Sequence, residues 1–244
     1  MRKGESNEHH CESLRQCCYK SIEKSVIVPN LFPRKDDAER VNDKMLRKLM
    51  EDKKIGIVEK YTAKDTGKEP WKRQLEKGIA PKEIQLCKGA RVMLIKNKDL
   101  KNGLVNGAVG TVISFSWDKK ACKRIASKGF LPIVKFDSGK TVRVEPEKWE
   151  VIEDDRRVAT RRQIPLMLAW ATSIHKMQGM TLDSLHADLS RAFGPGMVYV
   201  ALSRVRSQDG LYLSGFDPSK IQAHPKVVEF YNNLSRYSPG LEVF

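Results

Sequence analysis

The chain has 244 residues, 40% of them hydrophobic and 31% charged, an ordinary globular composition with room for one or two domains of about 100–200 residues each. No run of about 18 apolar residues occurs, so no transmembrane helix is expected, and the polar stretch Met1 to Ser6 lacks the apolar core of a signal peptide. The net charge of +15 biases the chain toward polyanions such as nucleic acid, with a solvated Lys-rich surface as the alternative. No basic amphipathic helix favours a membrane. The cysteines are Cys11, Cys17, Cys18, Cys87 and Cys122. No C-x-x-C pair and no zinc-ligand spacing occur among them, and reduced thiols in an intracellular setting fit best.

The first 24 residues are polar, with His9, His10 and Cys11 as a small cluster that reads as a solvated terminus. Val26-Ile27-Val28, bounded by Pro29-Asn30, reads as a buried strand. The segment from Asp36 to Leu49 predicts a helix with Ala38, Val41, Met45 and Leu49 on one face. From Glu51 to Lys82 the pattern is charged and nearly aperiodic, with one short strand at Gly56–Tyr61. Residues 85–152 then change character. Short apolar runs at Ala90–Ile95, Gly110–Phe115, Leu131–Phe136, Thr141–Val144 and Trp149–Ile152 alternate with Asn102-Gly103, Asn106-Gly107 and Asp137-Ser138-Gly139. That spacing predicts a small antiparallel barrel or meander. Residues 163–234 alternate strand and helix: a buried strand at Pro165–Ala169, a helix at Ala171–Gln178 ended by Gly179, a strand at Leu185–Leu189, a helix at Met197–Val205, a strand at Leu211–Phe216 and a helix at Lys226–Leu234. The pattern predicts an α/β fold with a largely parallel sheet, interrupted by the barrel.

Two segments carry candidate chemistry. In Thr172-Ser173-Ile174-His175-Lys176-Met177-Gln178-Gly179, the expected helix N-terminus would offer N–H groups to a phosphate, with hydroxyls, a cation and an imidazole beside them. A capped helix with surface polar groups is the alternative. In Tyr199 to Arg206 the surroundings are apolar, so Arg204 needs an anionic partner. That partner is either a local carboxylate or a phosphate. Arg206 reads as a solvated charge.

The stretch from Gln163 to Leu213, with Leu-Ala-Trp-Ala-Thr-Ser-Ile-His-Lys-Met-Gln-Gly-Met-Thr-Leu-Asp and Tyr-Val-Ala-Leu-Ser-Arg, resembles motifs V and VI of Pif-type (petite integration frequency) DNA helicases. These are RecD-like members of helicase superfamily one. Val28 to Arg34 with Val41-Asn42 resembles the motif IV region, and Tyr61 to Asp65 resembles the segment that follows it. Leu86 to Gly110 resembles the start of the family's inserted barrel, and Gly215-Phe216-Asp217-Pro218 with the last helix also fits. Position 177 is Met where the family more often has Ser.

The resemblance implies a RecA-like second motor domain built from residues 25–84 and 156–244, with helices on both faces of its sheet. A Src-homology-three-like barrel over 85–155 would interrupt it, and residues 1–24 would be the end of a first RecA-like domain. It implies an ATP-dependent 5′-to-3′ DNA helicase of nucleus or mitochondrion, acting in replication, repair or telomere maintenance. A non-catalytic single-strand-binding module derived from such a helicase is the alternative. ATP and Mg2+ are implied for the complete enzyme. The phosphate loop G-x-x-x-x-G-K-[ST] does not occur in this sequence, so Met1 is expected to be internal to a longer protein and the chain alone is expected to be inactive. Arg204 is implied as the arginine finger, with Gln178, Gly179 and Arg34 near the γ-phosphate. Thr172, Ser173, His175 and Lys176 are implied as single-stranded DNA contacts, as are Asn106, Lys96, Lys98 and Lys101 on the barrel. Asn106-Gly107 also reads as a plain hairpin turn, and the lysines as a solvated face.

Overall fold

In the computed structural model, residues 4, 6–22, 28–52, 56–119 and 125–237 are described. They form two compact units: residues 1–38 with 172–244, and residues 39–171. The architecture is mixed α/β, with one sheet holding parallel strands and the others antiparallel.

The first unit is built on a four-stranded sheet. Its strands are β1 (Asn30–Phe32), β12 (Ala171–Ser173), β13 (Leu185–Asp188) and β14 (Leu211–Ser214), in the order β12-β1-β13-β14. β1 and β14 both run parallel to β13. Helix α1 (Glu8–Gln16) is capped by Asn7, whose side-chain oxygen accepts the His10 N–H at 2.8 Å. It buries Cys11 and Leu14 and is tied down where Leu213 N donates to Cys17 O at 3.1 Å. Helix α4 (Met197–Leu202) follows Gly196, whose φ of +78° is one that L side chains rarely adopt. Helix α5 (Pro225–Tyr237) closes the unit.

The second unit carries the larger apolar core. A five-stranded antiparallel sheet runs β11 (Leu166–Leu168), β5 (Arg91–Leu94), β6 (Val109–Trp117), β7 (Phe130–Phe136) and β8 (Thr141–Arg143). A pair joins β2 (Val58–Thr62) to β4 (Glu83–Cys87). A three-stranded sheet orders β3 (Lys64–Gly67), β10 (Arg156–Gln163) and β9 (Glu147–Glu153), and helix α3 (Trp71–Lys77) is placed near it in sequence. Tyr61, Leu86, Val92, Leu94, Val112, Leu131, Val134, Ile164 and Leu166 form one continuous cluster.

Three buried polar side chains in this core are fully answered within the unit. Glu59 is fully buried, and its carboxylate accepts from the Ser127 hydroxyl, Lys128 N (2.8 Å), Phe130 N (2.9 Å) and Lys60 N (3.1 Å). Arg161 is only 2% exposed; it forks onto both oxygens of Asp65 at 2.8 Å and donates to Ala80 O at 2.8 Å. This bond to Arg161 is the main cause holding the Asp65 carboxyl below its ordinary range. Gln163 donates to the Tyr61, Pro81 and Lys82 carbonyls.

Helix α2 (Lys35–Met50) matches the expected segment, but the buried face runs through Ala38 and Leu46, whereas Met45 is exposed. The boundary between the units falls inside this helix. Three expectations are corrected. Residues 171–178 are not a helix: β12 ends at Ser173 and the chain passes through consecutive turns. Strand-forming Ala171 to Ser173 pairs into the sheet, and Ile174, Met177 and Met180 then plug the core at every third position. The strand at Pro165–Ala169 joins the antiparallel sheet through β5 and not the parallel one. The helix expected to reach Val205 stops at Leu202. Strand β4 carries an alternation, Ile84 and Leu86 buried between exposed Glu83 and Gln85, whereas strands β3 and β10 and helix α3 lack a readable apolar period. Val26 and Ile27 lie outside the described residues.

Candidate nucleotide and nucleic-acid site

The first unit gathers most of the sequence-predicted residues around one loop. Ile174 N donates to Phe32 O at 2.9 Å, which fixes the loop's entry to the end of β1. Lys176 N and Met177 N donate to Ser173 O at 3.0 and 3.2 Å, and Met180 N donates to Met177 O at 3.1 Å. The Lys176 and Met180 bonds span three residues and the Met177 bond to Ser173 spans four, a run of turns that does not continue as a helix. With Ile174, Met177 and Met180 buried, His175, Gln178 and Gly179 are left exposed. The φ of Gly179 is +76°, with open space where a Cβ would stand, so the backbone conformation is what favours glycine there. Met177, the departure from the family's usual Ser, is a fully buried core side chain.

Arg204 is half-buried and lies against this loop. Its Nη1 donates to the carbonyls of Met177 (3.3 Å) and Met180 (3.1 Å), its Nε to Val200 O (3.0 Å) and its Nη2 to Ser203 Oγ (2.8 Å). The backbone repeats the link: Leu182 N donates to Arg204 O at 2.8 Å and Arg206 N to Leu182 O at 3.0 Å. Among the described residues no carboxylate forms an ion pair with Arg204. Among the described residues the acceptors bonded to the Arg204 guanidinium are all neutral. Arg206 pairs with Asp183 at 3.3 Å, both well exposed, a contact worth about 0–1 kcal/mol.

The other predicted residues take varied settings. Arg34 is exposed, with its guanidinium 5.7 Å from the Phe193 ring centroid. Thr172 and Ser173 are buried in β12, and the Thr172 hydroxyl has no hydrogen-bond partner among the described residues. Lys176 is half-buried. Nearby, His186 Nδ1 lies 2.9 Å from Asn30 Oδ1, bridging β1 and β13. Burial holds its pKa down, against the opposing pull of Asp188.

On the second unit, Lys98 and Lys96 both approach Glu147, at 3.5 and 3.9 Å. Lys96 also donates to Lys148 O, and its ammonium sits 5.4 Å from the Trp149 ring centroid. Lys101 is exposed. Asn106 shapes the turn, its N–H donating to Asn97 Oδ1 at 2.7 Å, while its own side-chain oxygen is buried without a partner among the described residues. Sequence reasoning missed Trp149, Lys148 and Arg162, which line a cavity on this unit. The Arg161-Arg162 doublet on an alternating strand was the available signal, since one of two successive strand residues must face away from the core.

Residues 74–115 match the model of the DNA helicase Pif1 2B domain. The chain is 37% identical over 237 residues to the ATP-dependent DNA helicase PIF1 of Xenopus laevis, covering 97% of this chain and 35% of that protein. It superposes on the crystal structure of Pif1 helicase from Candida albicans with a TM-score of 0.67 and 35% identity, over 96% of this chain and 56% of that one. Bacteroides Pif1 bound to ssDNA gives a TM-score of 0.57 at 25% identity, over 95% of this chain and 51% of that one. The chain thus spans about a third of the length of its Xenopus relative. With the motif order of the sequence, the loop at Met177–Met180 and these matches all in agreement, the chain belongs to the Pif1 helicase family and corresponds to its C-terminal region, the 2B domain included.

Proposed function

We propose that this chain is the C-terminal motor half of an ATP-dependent 5′-to-3′ DNA helicase acting in replication, repair or telomere maintenance. Residues 25–84 and 156–244 are read as the second RecA-like domain, and residues 85–155 as the Src-homology-three-like insert. The relatives are ATP-dependent DNA helicases, and one is solved on ssDNA. The observation that carries the reading is Arg204: a guanidinium held at a glycine-containing exposed loop by neutral acceptors, with no carboxylate ion-paired to it among the described residues. Such a cation is suited to a phosphate.

In this reading ATP is shared with a domain that carries the phosphate loop and the Mg2+-binding acids. The bound nucleotide supplies the γ-phosphoryl group whose transfer drives movement. Arg204 offers its charge to that phosphate, with Gln178, Gly179 and Arg34 around it. His175 and Lys176 face the strand, with Thr172 and Ser173 shaping the backbone beneath them. The Met177 and Met180 carbonyls orient Arg204, so the strand-facing loop and the phosphate-facing cation are one mechanical piece. That linkage is how a change at ATP would reach DNA. A derived single-strand-binding module with no role in ATP turnover is the second reading.

Titrating the chain with labelled oligo-dT at several salt concentrations tests the DNA half of the proposal. Affinity should be modest, with log K falling by about 0.7 per phosphate neutralised for each unit of log salt. His175→Ala should weaken binding by about 1–3 kcal/mol if it stacks on a base. Salt-independent affinity, or none, would count against the reading.

A further inference from the structure

Glu59, fully buried in β2, holds the turn that leads into β7. Its carboxylate accepts from Lys128 N at 2.8 Å, from Phe130 N at 2.9 Å and from the Ser127 hydroxyl. Three more bonds run along the same seam: Thr62 N to Ile125 O, Ser127 N to Lys60 O and the Tyr61 hydroxyl to Phe130 O, each at 2.9 Å. Ile125 and Ala126 are buried beneath the turn, whereas Ser127 and Lys128 are exposed. Ser127 is thus a surface residue whose hydroxyl is one of the donors that a buried acid depends on. A carboxylate in such a place is tolerated only while its donors remain.

The sequence around this serine has a single charge. From Lys119 to Lys128 the cations are Lys119, Lys120, Lys123, Arg124 and Lys128, and no acid interrupts them. Arg124 and Lys123 stand three and four residues before the hydroxyl. That spacing suits a serine/threonine kinase whose peptide groove is lined by carboxylates, because guanidinium–carboxylate pairing then selects the acceptor. Two other hydroxyls have an arginine at the same distance. The arginine before Thr160 is Arg157, paired with Glu150 at 3.0 Å, and Thr160 is half-buried with its hydroxyl bonded to Thr66. The arginine before Ser207 is Arg204, bonded to the Met177 and Met180 carbonyls. In both places the arginine that a kinase would grip is already engaged.

We infer that Ser127 is a phosphorylation site for a kinase of this basophilic class, and that the phosphate releases the 125–130 turn from Glu59. Ser127 Oγ takes the γ-phosphoryl group of ATP. The Oγ–P bond forms, the bond from phosphorus to the ADP oxygen breaks, and the hydroxyl proton passes to the kinase's base. The product lacks the O–H that Glu59 accepted and sets a charge of about −1.5 to −2 beside the carboxylate. Two anions cannot share that buried contact, so the turn leaves Glu59. Lys128 N and Phe130 N lose their acceptor with it, and the core residue Tyr61 loses the seam that fixes its partner Phe130. The hydroxyl is engaged while the turn is closed, so the kinase takes the locally opened turn and the phosphate keeps it open.

The test uses the 244-residue chain, Mg-ATP and a purified kinase that selects arginine three residues before its acceptor. Mass spectrometry of the treated chain should place phosphate on Ser127, and Ser127→Ala should lose that label. A phosphoserine installed at position 127 during translation then supplies the stoichiometric product. Trypsin should cut it after Lys128 about tenfold faster than the unmodified chain, since cleavage follows the opened population. Its melting temperature should fall by about 2–4 °C, the scale of one lost hydrogen bond to a charged group in a chain of this size. Glu59→Gln separates charge from bulk: the phosphate should shift the melting temperature of that variant by less than half as much. If Glu59→Gln does not fold, the cleavage rate of the phosphorylated chain alone decides. A chain that stays unlabelled at Ser127 overturns the inference. So does a phosphoserine that leaves cleavage rate and melting temperature where they were, and so does an equal shift in Glu59→Gln, which would assign the effect to size and not to the facing carboxylate.

Discussion

The two units differ in how their central polar groups are answered. In residues 39–171, Glu59, Arg161 and Gln163 lie deep in the apolar core, and each is saturated by near neighbours: four donors on Glu59, a two-pronged Asp65 and a carbonyl on Arg161, three carbonyls under Gln163. In the first unit the polar groups beside the 174–180 loop are incompletely answered. Arg204 has acceptors but no opposing charge, and the Thr172 hydroxyl is buried with no partner among the described residues. Saturated polar groups in a core specify architecture, whereas under-answered ones at a surface loop mark where a ligand completes the set. The second unit has its own exceptions: Arg91 Nε, Asn106 Oδ1 and Arg162 Nε are buried without partners among the described residues.

The contrast can be broken by substitution. Asp65→Ala should be the most damaging to the fold, since it strands a guanidinium that is 2% exposed and breaking such a buried pair costs about 3–5 kcal/mol. Denaturant unfolding of the variant would read this directly, and a loss below about 1 kcal/mol would mean the pair behaves as a surface bridge. Glu59→Ala should cost less, about 1–3 kcal/mol, because three of its partners are at the 127–130 backbone or hydroxyl and water can reach part of them once the side chain is gone. If Glu59→Ala leaves the unfolding midpoint unmoved, the saturated cluster is not structural.

The smallest effect sharpens the picture of the first unit. The folded-state pKa of His186 is lowered by burial, so the native state favours the neutral ring. Stability from this residue is full above the unfolded value near 6.5 and is lost as pH falls through the lower folded value. Melts between pH 7.5 and pH 5 should show a decline that His186→Gln flattens. A decline of the same size in the variant would remove His186 as its source.

Much of this was legible where a residue's type and spacing served one purpose. The five short apolar runs of residues 90–152 appear as β5 to β9, because a half-buried strand writes its alternation into the sequence. Asn42, singled out by resemblance, bonds both the N–H and the C=O of Ala171, at 2.9 and 2.8 Å. The failures have equally physical causes. Residues 171–178 read as a helix because Ile174, Met177 and Met180 recur at a helix-like interval, yet successive tight turns give a similar spacing. Strand β10 was missed because its buried members include Arg161 and Gln163, whose burial depends on partners far away in sequence. The Lys96 and Lys98 side chains read as a free basic face, and only the structure brings Glu147 between them.

The central claim is that Arg204 is a phosphate-directed cation and not a strut of its own unit. It is tested most directly by joining this chain to a domain bearing the phosphate loop and measuring DNA-stimulated ATP hydrolysis of Arg204→Ala and Arg204→Lys beside the stability of the same substitutions in the chain alone. The account predicts that Ala lowers turnover by about 10³–10⁵, the range of other arginine fingers, and that Lys rescues little. Single-strand affinity and the melting temperature should fall far less than turnover, because the bonds lost are to neutral carbonyls and a hydroxyl at a half-buried site. Normal turnover combined with a destabilised chain would contradict it, and would make Arg204 a staple between the 177–180 loop and α4.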